Sequence, residues 1–169
     1  MIEKVVSGGQ TGVDQAALFI ASQMGIPVDG WCPLDSLDEN NESILKKYPL
    51  REITELAFEY SVAERTKRNL EDSDSTLIIV PLIPLPPNIT DGTLLTIKYA
   101  MEKRKFYLLI AINDASASDQ FCDWIKQYSI KTLNIAGPRK SSCKGIYNQT
   151  CELLQQFLLS LTPCAVYLK

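Results

Sequence analysis

Histidine is absent from all 169 residues. That absence removes imidazole metal sites, Ser-His and Cys-His nucleophile pairs, and imidazole acid–base catalysis. Any chemistry falls to carboxylates, hydroxyls, cationic side chains and backbone amides. The five cysteines, Cys32, Cys122, Cys143, Cys151 and Cys164, form no C-x-x-C pair, and their odd number predicts reduced thiols in or near the core. No apolar run approaches the 18 or so residues of a membrane-spanning helix. The first residues lack the basic and apolar regions of a signal peptide, so a cytoplasmic location is expected. An excess of basic charge is also missing: 17 Lys and Arg face 20 Asp and Glu, a net charge of −3 that argues against a nucleic-acid partner. Neither G-x-G-x-x-G nor Gly-Lys-Ser/Thr occurs, which excludes the ordinary dinucleotide fingerprint and the P-loop.

What is present is a steady alternation of strand and helix signals. Strands are predicted at 2–7, 26–31, 76–81, 106–112 and 132–136, those at 76–81 and 106–112 as buried strands. Helices are predicted at 14–24, 59–71, 91–103, 116–128 and 145–161. The acidic and amide-rich stretch 32–50 reads as a surface loop, and the four prolines in 81–90 as a rigid extended one. Residues 165–168 read as an edge strand, a docking tail or a subunit contact. With no repeat or linker, the whole of 1–169 is expected to be a single α/β domain. It would have three layers, with a mostly parallel, doubly wound sheet covered on both faces.

Ligands of such sheets sit beyond the carboxyl ends of the strands. Three strand-to-helix junctions fall there. The first, Ser7-Gly8-Gly9-Gln10-Thr11-Gly12-Val13-Asp14, puts three glycines directly before a helix whose N–H groups and dipole favour an anion. The second ends in Asp91-Gly92-Thr93. The third, Asn134-Ile135-Ala136-Gly137-Pro138-Arg139, adds a guanidinium suited to phosphate or carboxylate. Tight turns and simple helix caps that bind nothing are the alternative for each. Arg65 and Asn69, four apart, share one helix face.

Together these segments resemble the molybdenum cofactor carrier proteins, members of a Rossmann-like superfamily shared with cytokinin-activating phosphoribohydrolases and DprA-type proteins. The resemblance runs from Ser7–Asp14 with Ala16-Ala17-Leu18 through Gly30-Trp31-Cys32-Pro33, Arg65-Thr66-x-x-Asn69 and Asp72-Ser73-Asp74. It continues in Asn134-x-Ala136-Gly137-Pro138-Arg139 and ends at Gly145-Ile146-Tyr147, spanning about positions 5 to 150. It implies a non-catalytic, homo-oligomeric carrier that holds a phosphorylated pterin, the molybdenum cofactor (molybdopterin), for molybdoenzymes. In that reading Gly8, Gly9, Thr11 and Gly12 cradle the phosphate, Gly92 and Thr93 complete the floor beside Gly137, and Arg139 neutralises charge. Gln10, Asp14, Asp72 and Asp74 contact the ring or ribose, with Arg65, Asn69 and Asp91 also at the site. Trp31 stacks on a heterocycle or belongs to the core. Cys32 and Cys143 are buried thiols, or molybdenum contacts if both face the cleft.

Two features depart from the pattern. Asp91 stands where the family usually has glycine, and Thr96 and Lys98 stand where the phosphoribohydrolases need an acid. The alternative function is a nucleotide-binding sensor or nucleotide hydrolase of the same superfamily, with Asp14 or Asp74 as base or Mg²⁺ ligand. A nucleic-acid-associated role is the third reading and the one least compatible with the charge.

Overall fold

A computed structural model describes residues 2–90 and 92–161. The predicted strands and helices recur within a few residues of their expected bounds. In chain order they are β1 (Lys4–Val6), α1 (Val13–Gln23), β2 (Val28–Asp29), β3 (Trp31–Cys32), α2 (Ile44–Lys47), β4 (Arg51–Glu52) and α3 (Phe58–Glu71). Then come β5 (Ser75–Val80), α4 (Gly92–Glu102), β6 (Tyr107–Ala111), α5 (Ala117–Tyr128), β7 (Thr132–Ala136) and α6 (Ile146–Ser160). Five strands form one parallel sheet in the order β2-β1-β7-β5-β6. Helices α1 and α5 both pack on α6, whereas α3 packs on α4. The result is a three-layer α/β domain.

The last strand lies at the centre of this sheet. If the strands are renumbered starting from β7, the order becomes 3-2-1-4-5, that of a doubly wound nucleotide-binding sheet. The chain is therefore a circular permutation of that arrangement, with its first β-α unit moved to the C-terminal end. In this order the winding reverses between β7 and β5.

Burial follows position in the sheet. Strand β5, flanked by β7 and β6, is buried at all six residues and reads as the continuous apolar run its sequence suggested. Strand β6, expected to be buried too, lies at the sheet edge and buries only Ile110 fully. Its edge position leaves one flank unpaired. The main core joins Val5, Leu77, Ile79, Leu133 and Ile135 of the sheet to Val13, Ile20, Phe121, Leu154 and Phe157 of the helices on one face. Phe121 stacks on Phe157 with centroids 4.5 Å apart.

The segment 32–50 differs most from expectation. Its polar composition predicted a surface loop, yet Ser36, Asp38 and Ile44 are buried, and α2 forms within it. Gly30 makes the departure possible, because at φ 148° its Cα abuts the Ser7 carbonyl with no room for a Cβ. The chain then forms a small parallel ladder, β3 with β4. Leu18, Cys32, Ile44 and Leu50 make a second apolar cluster there. The proline segment 81–90 has no helix or strand, as expected; Ile83-Pro84 is cis, and Leu82 and Ile83 are exposed. Residues 165–168, expected as an edge strand, docking tail or subunit contact, and Asp91 lie outside the described residues.

Candidate functional site

Because all five strands run parallel, the segments after β1, β5 and β7 meet at one edge of the sheet. Ser7 Oγ donates to the Ile135 carbonyl at 2.6 Å, and Asn134 Nδ2 donates to Thr76 Oγ1 at 3.2 Å. These bonds fasten β1 to β7 and β7 to β5 just below that edge. Above them lies a cleft lined by Gly8, Gln10, Asp14, Arg65, Asn69, Gly92, Gly137 and Arg139, with Thr66, Thr96 and residues 134–136. It is narrow, with a volume of about 30 Å³ within about 430 Å³ of empty space continuous with solvent.

Arg65 and Asp14 dominate the cleft's interior. The guanidinium Nη1 meets Asp14 Oδ2 at 2.9 Å, and the two side chains are only 10% and 8% exposed. Gly8 has no Cβ where the Arg65 guanidinium packs, and any side chain there would collide with it. Arg65 Nε is buried without a hydrogen-bond partner among the described residues. A buried, unpaired donor on a cation is an unmet demand for an acceptor. Asn69, in contrast, is committed to structure: Oδ1 accepts from Trp31 N at 2.7 Å and Nδ2 donates to Trp31 O at 3.0 Å. It lines the cleft while fixing β3.

The glycine loop itself is arranged differently from a simple cradle. Gly9 (φ 74°) turns toward Ile44 of the 32–50 segment, and its carbonyl accepts from Gln15 Nε2. Gly12 (φ 85°) caps α1 against the Pro138–Arg139 backbone. The first α1 amide, Val13 N, donates to Pro138 O, and Gln15 N donates to Gln10 O. The expectation that α1 offers an open row of N–H groups to an anion is therefore corrected, since the β1 and β7 loops have joined there. Positive charge in the cleft comes from Arg65 and Arg139. Thr11 and Gly12 line a neighbouring cavity of about 240 Å³ instead.

Several predicted residues are not brought to the cleft. Asp74 Oδ2 accepts from Lys131 N and Thr132 N at 2.9 and 2.8 Å, at the start of β7 and hence at the opposite edge of the sheet. Asp72 accepts from Trp31 Nε1 and from Arg51, each at 2.8 Å. The guanidinium groups of Arg51 and Arg68 lie over Trp31, at 4.1 and 4.7 Å from its ring centroid, and Trp31 does not line the cleft. Thr93 is buried and does not line the cleft. Nor do Cys32 and Cys143: burial pushes the Cys32 thiol up to about 11 and raises that of Cys143. Among the described residues no group of three or more Cys, Asp or Glu side chains is placed to hold a metal.

Residues that sequence reasoning missed come from the 32–50 segment. Glu39 reaches across to the glycine loop and the β7 loop: Thr11 Oγ1 and Ser141 Oγ both donate to it, and Ser141 N does so at 3.1 Å. Burial alone would raise its pKa, but the hydrogen bonds from Ser141 and Thr11, with the charge of Arg139, hold it below the ordinary value. Asp38, whose side chain is fully buried, accepts from Gln15 Nε2, Lys47 Nζ and the amides of Asn40 and Glu42. Burial opposes its charge as well, and these donors outweigh that and lower its pKa. Only the run of acids and amides at 38–42 hinted at such a role.

A pH dependence follows. Both folded-state pKa values are depressed, so their stabilisation is complete above the unfolded values of about 4 and is lost as pH falls through the lower folded ones. Hydrogen-exchange protection factors at residues 36–44 are expected to fall below about pH 4, before the central strands lose protection. Loss of protection in β5 at the same pH or a higher one would contradict this.

Residues 5–158 match the circularly permutated YpsA SLOG family. The chain belongs to that family. The permuted order of the sheet is the structural counterpart of its name. A crystal structure at 1.45 Å resolution, of a "putative molybdenum carrier protein" from Syntrophus aciditrophicus SB, is 37% identical in sequence with a TM-score of 0.80. The match covers 93% of this chain and 95% of that one. No match is found among curated proteins. In this member of the circularly permutated YpsA SLOG family, Arg65, Asp14 and the Gly137–Arg139 turn converge where the sheet's winding reverses.

Proposed function

We propose that the protein is a molybdenum cofactor carrier, which holds a phosphorylated pterin at the carboxyl edge of the sheet, without turnover, for delivery to molybdoenzymes. The observation that supports this most is the buried Arg65 guanidinium with its unpartnered Nε, in a cleft that Arg139 also lines. A narrow cleft of about 30 Å³ takes a compact group such as a phosphate, and the pterin ring extends from it toward solvent. Charge-assisted hydrogen bonds from guanidinium to phosphate are short, strong and directional. The name of the Syntrophus aciditrophicus protein supports the molybdenum assignment.

The residues present favour holding over hydrolysis. Asp14 is tied to Arg65 and Asp74 lies at the opposite edge, so neither is poised as a base in the cleft. Thr96, in place of the phosphoribohydrolase acid, spends its hydroxyl on the Gly92 carbonyl at 2.8 Å. Mass spectrometry of the small molecule that accompanies the protein through oxygen-free purification tests the reading. A pterin phosphate is the expected finding; a nucleoside phosphate in its place would favour the sensor or hydrolase alternative.

A further inference from the structure

The Glu39 carboxylate is an anion already seated among anion-binding groups. Thr11 Oγ1, Ser141 Oγ and Ser141 N all converge on it, and Thr11 Oγ1 in turn accepts from Lys140 N at 3.2 Å. Two of the three loops at the sheet edge thus direct donors to one point, and the acid that fills it comes from a separate segment. The same residues separate two spaces. Gln10 and Arg139 line the Arg65 cleft, whereas their neighbours Thr11 and Lys140 line the 240 Å³ cavity, together with Gln15, Tyr147 and Asn148. Thr11, which donates to Glu39, and Asn40, the chain neighbour of Glu39, line the second of them.

We propose that the Thr11–Ser141 point is a second phosphoryl-binding seat, occupied by Glu39 in the free protein and taken over by a phosphate ester of the ligand. The phosphoryl oxygens of the ligand match the same hydroxyl and amide donors that the carboxylate now uses. Once Glu39 is displaced, a phosphoryl group at the seat lies against Thr11 and the Lys140 amide, and its second substituent has the 240 Å³ cavity that both residues line. The seat thereby selects for a pyrophosphate linking two groups, one phosphoryl in the Arg65 cleft and the other at the seat, over a small monoester confined to the cleft. This rests on reading the cleft as a phosphate site.

Inorganic phosphate is the probe. Calorimetric titration of Glu39→Gln is expected to show binding at least tenfold tighter than wild type. Amide shifts should appear at Thr11 and Ser141, and the gain should vanish in Glu39→Gln/Ser141→Ala. In wild type, saturating phosphate should speed hydrogen exchange at 38–42, a readout that needs no variant to fold. Equal affinities, or shifts confined to Gly8 and Gly137, would overturn the seat while leaving the pterin reading intact. No phosphate binding to either protein, with unchanged exchange at 38–42, would overturn the seat too; pterin phosphate binding in the Arg65 cleft is judged by its own titration.

Discussion

Replacing Arg65 with methionine is expected to destabilise the fold by about 3–5 kcal/mol, measured by chemical denaturation. The magnitude comes from what is left behind. Asp14 is 6% exposed, and its ion pair with Arg65, 51 residues away in sequence, joins α1 to α3. Removing the cation leaves a desolvated carboxylate, and a charge in that position is far costlier than a neutral side chain of the same size. Arg65→Met/Asp14→Leu is therefore expected to recover most of the loss, because an apolar pair often replaces a buried ion pair at little net cost. The double variant should nevertheless bind no phosphate ligand. That combination separates the pair's two roles: it is dispensable for stability when removed whole, and essential for the cleft. A single variant within about 1 kcal/mol of wild type would place the pair in the class of exposed surface bridges instead.

Gly137→Ala carries the second large effect, a loss of about 3 kcal/mol at the upper end of ordinary overpacking costs. Gly137 follows β7 at the point where the sheet's winding reverses. A Cβ there would press into the Ile79 carbonyl of β5 and reach 2.7 Å from Val13 Cγ2 at the start of α1. Neither backbone nor a β-branched side chain can yield cheaply, so β7 must shift against β5 and carry the Arg139 turn with it. Gly25→Ala is the control. Its φ of +71° makes alanine strained, but nothing lies within 4 Å, so it is expected to lose only about 1 kcal/mol. Thermal denaturation of both variants gives the comparison. Similar losses would mean that the β5–β7 junction has more slack than its geometry indicates.

Why some of this was legible in the sequence and some was not can be argued from single elements. The run Thr76-Leu-Ile-Ile-Val80 announced a strand buried on both faces, because a strand needs apolar residues at successive positions only when both faces of its sheet are covered. The three junctions at the carboxyl edge were legible for a related reason: a parallel sheet puts every strand-to-helix turn on the same side. Strand order was not legible. Periodicity records which face of an element is buried and says nothing of its neighbours, so the central place of β7 stayed hidden, as did the importance of the turn that follows it.

The misplacement of Asp72 and Asp74 has a simple cause. Both precede β5, and residues that lead into a parallel strand sit at its amino edge, away from those that follow it. The segment 32–50 was misread because its acids looked solvated. Asp38 is buried with its donors supplied by Gln15, Lys47 and two backbone amides, partners that only the folded chain brings together. Glu39 escaped notice for the same reason.

Titration of the protein under anaerobic conditions with a phosphorylated pterin and with its dephosphorylated counterpart tests the central claim most directly. If Arg65 and Arg139 hold the phosphate, the phosphorylated form binds at least about tenfold tighter, the equivalent of one charge-assisted hydrogen bond. Arg139→Ala then removes most of that difference. Equal affinity for the two forms, or a preference for the phosphate that survives in Arg139→Ala, would contradict the assignment of this cleft as the site of a phosphorylated cofactor.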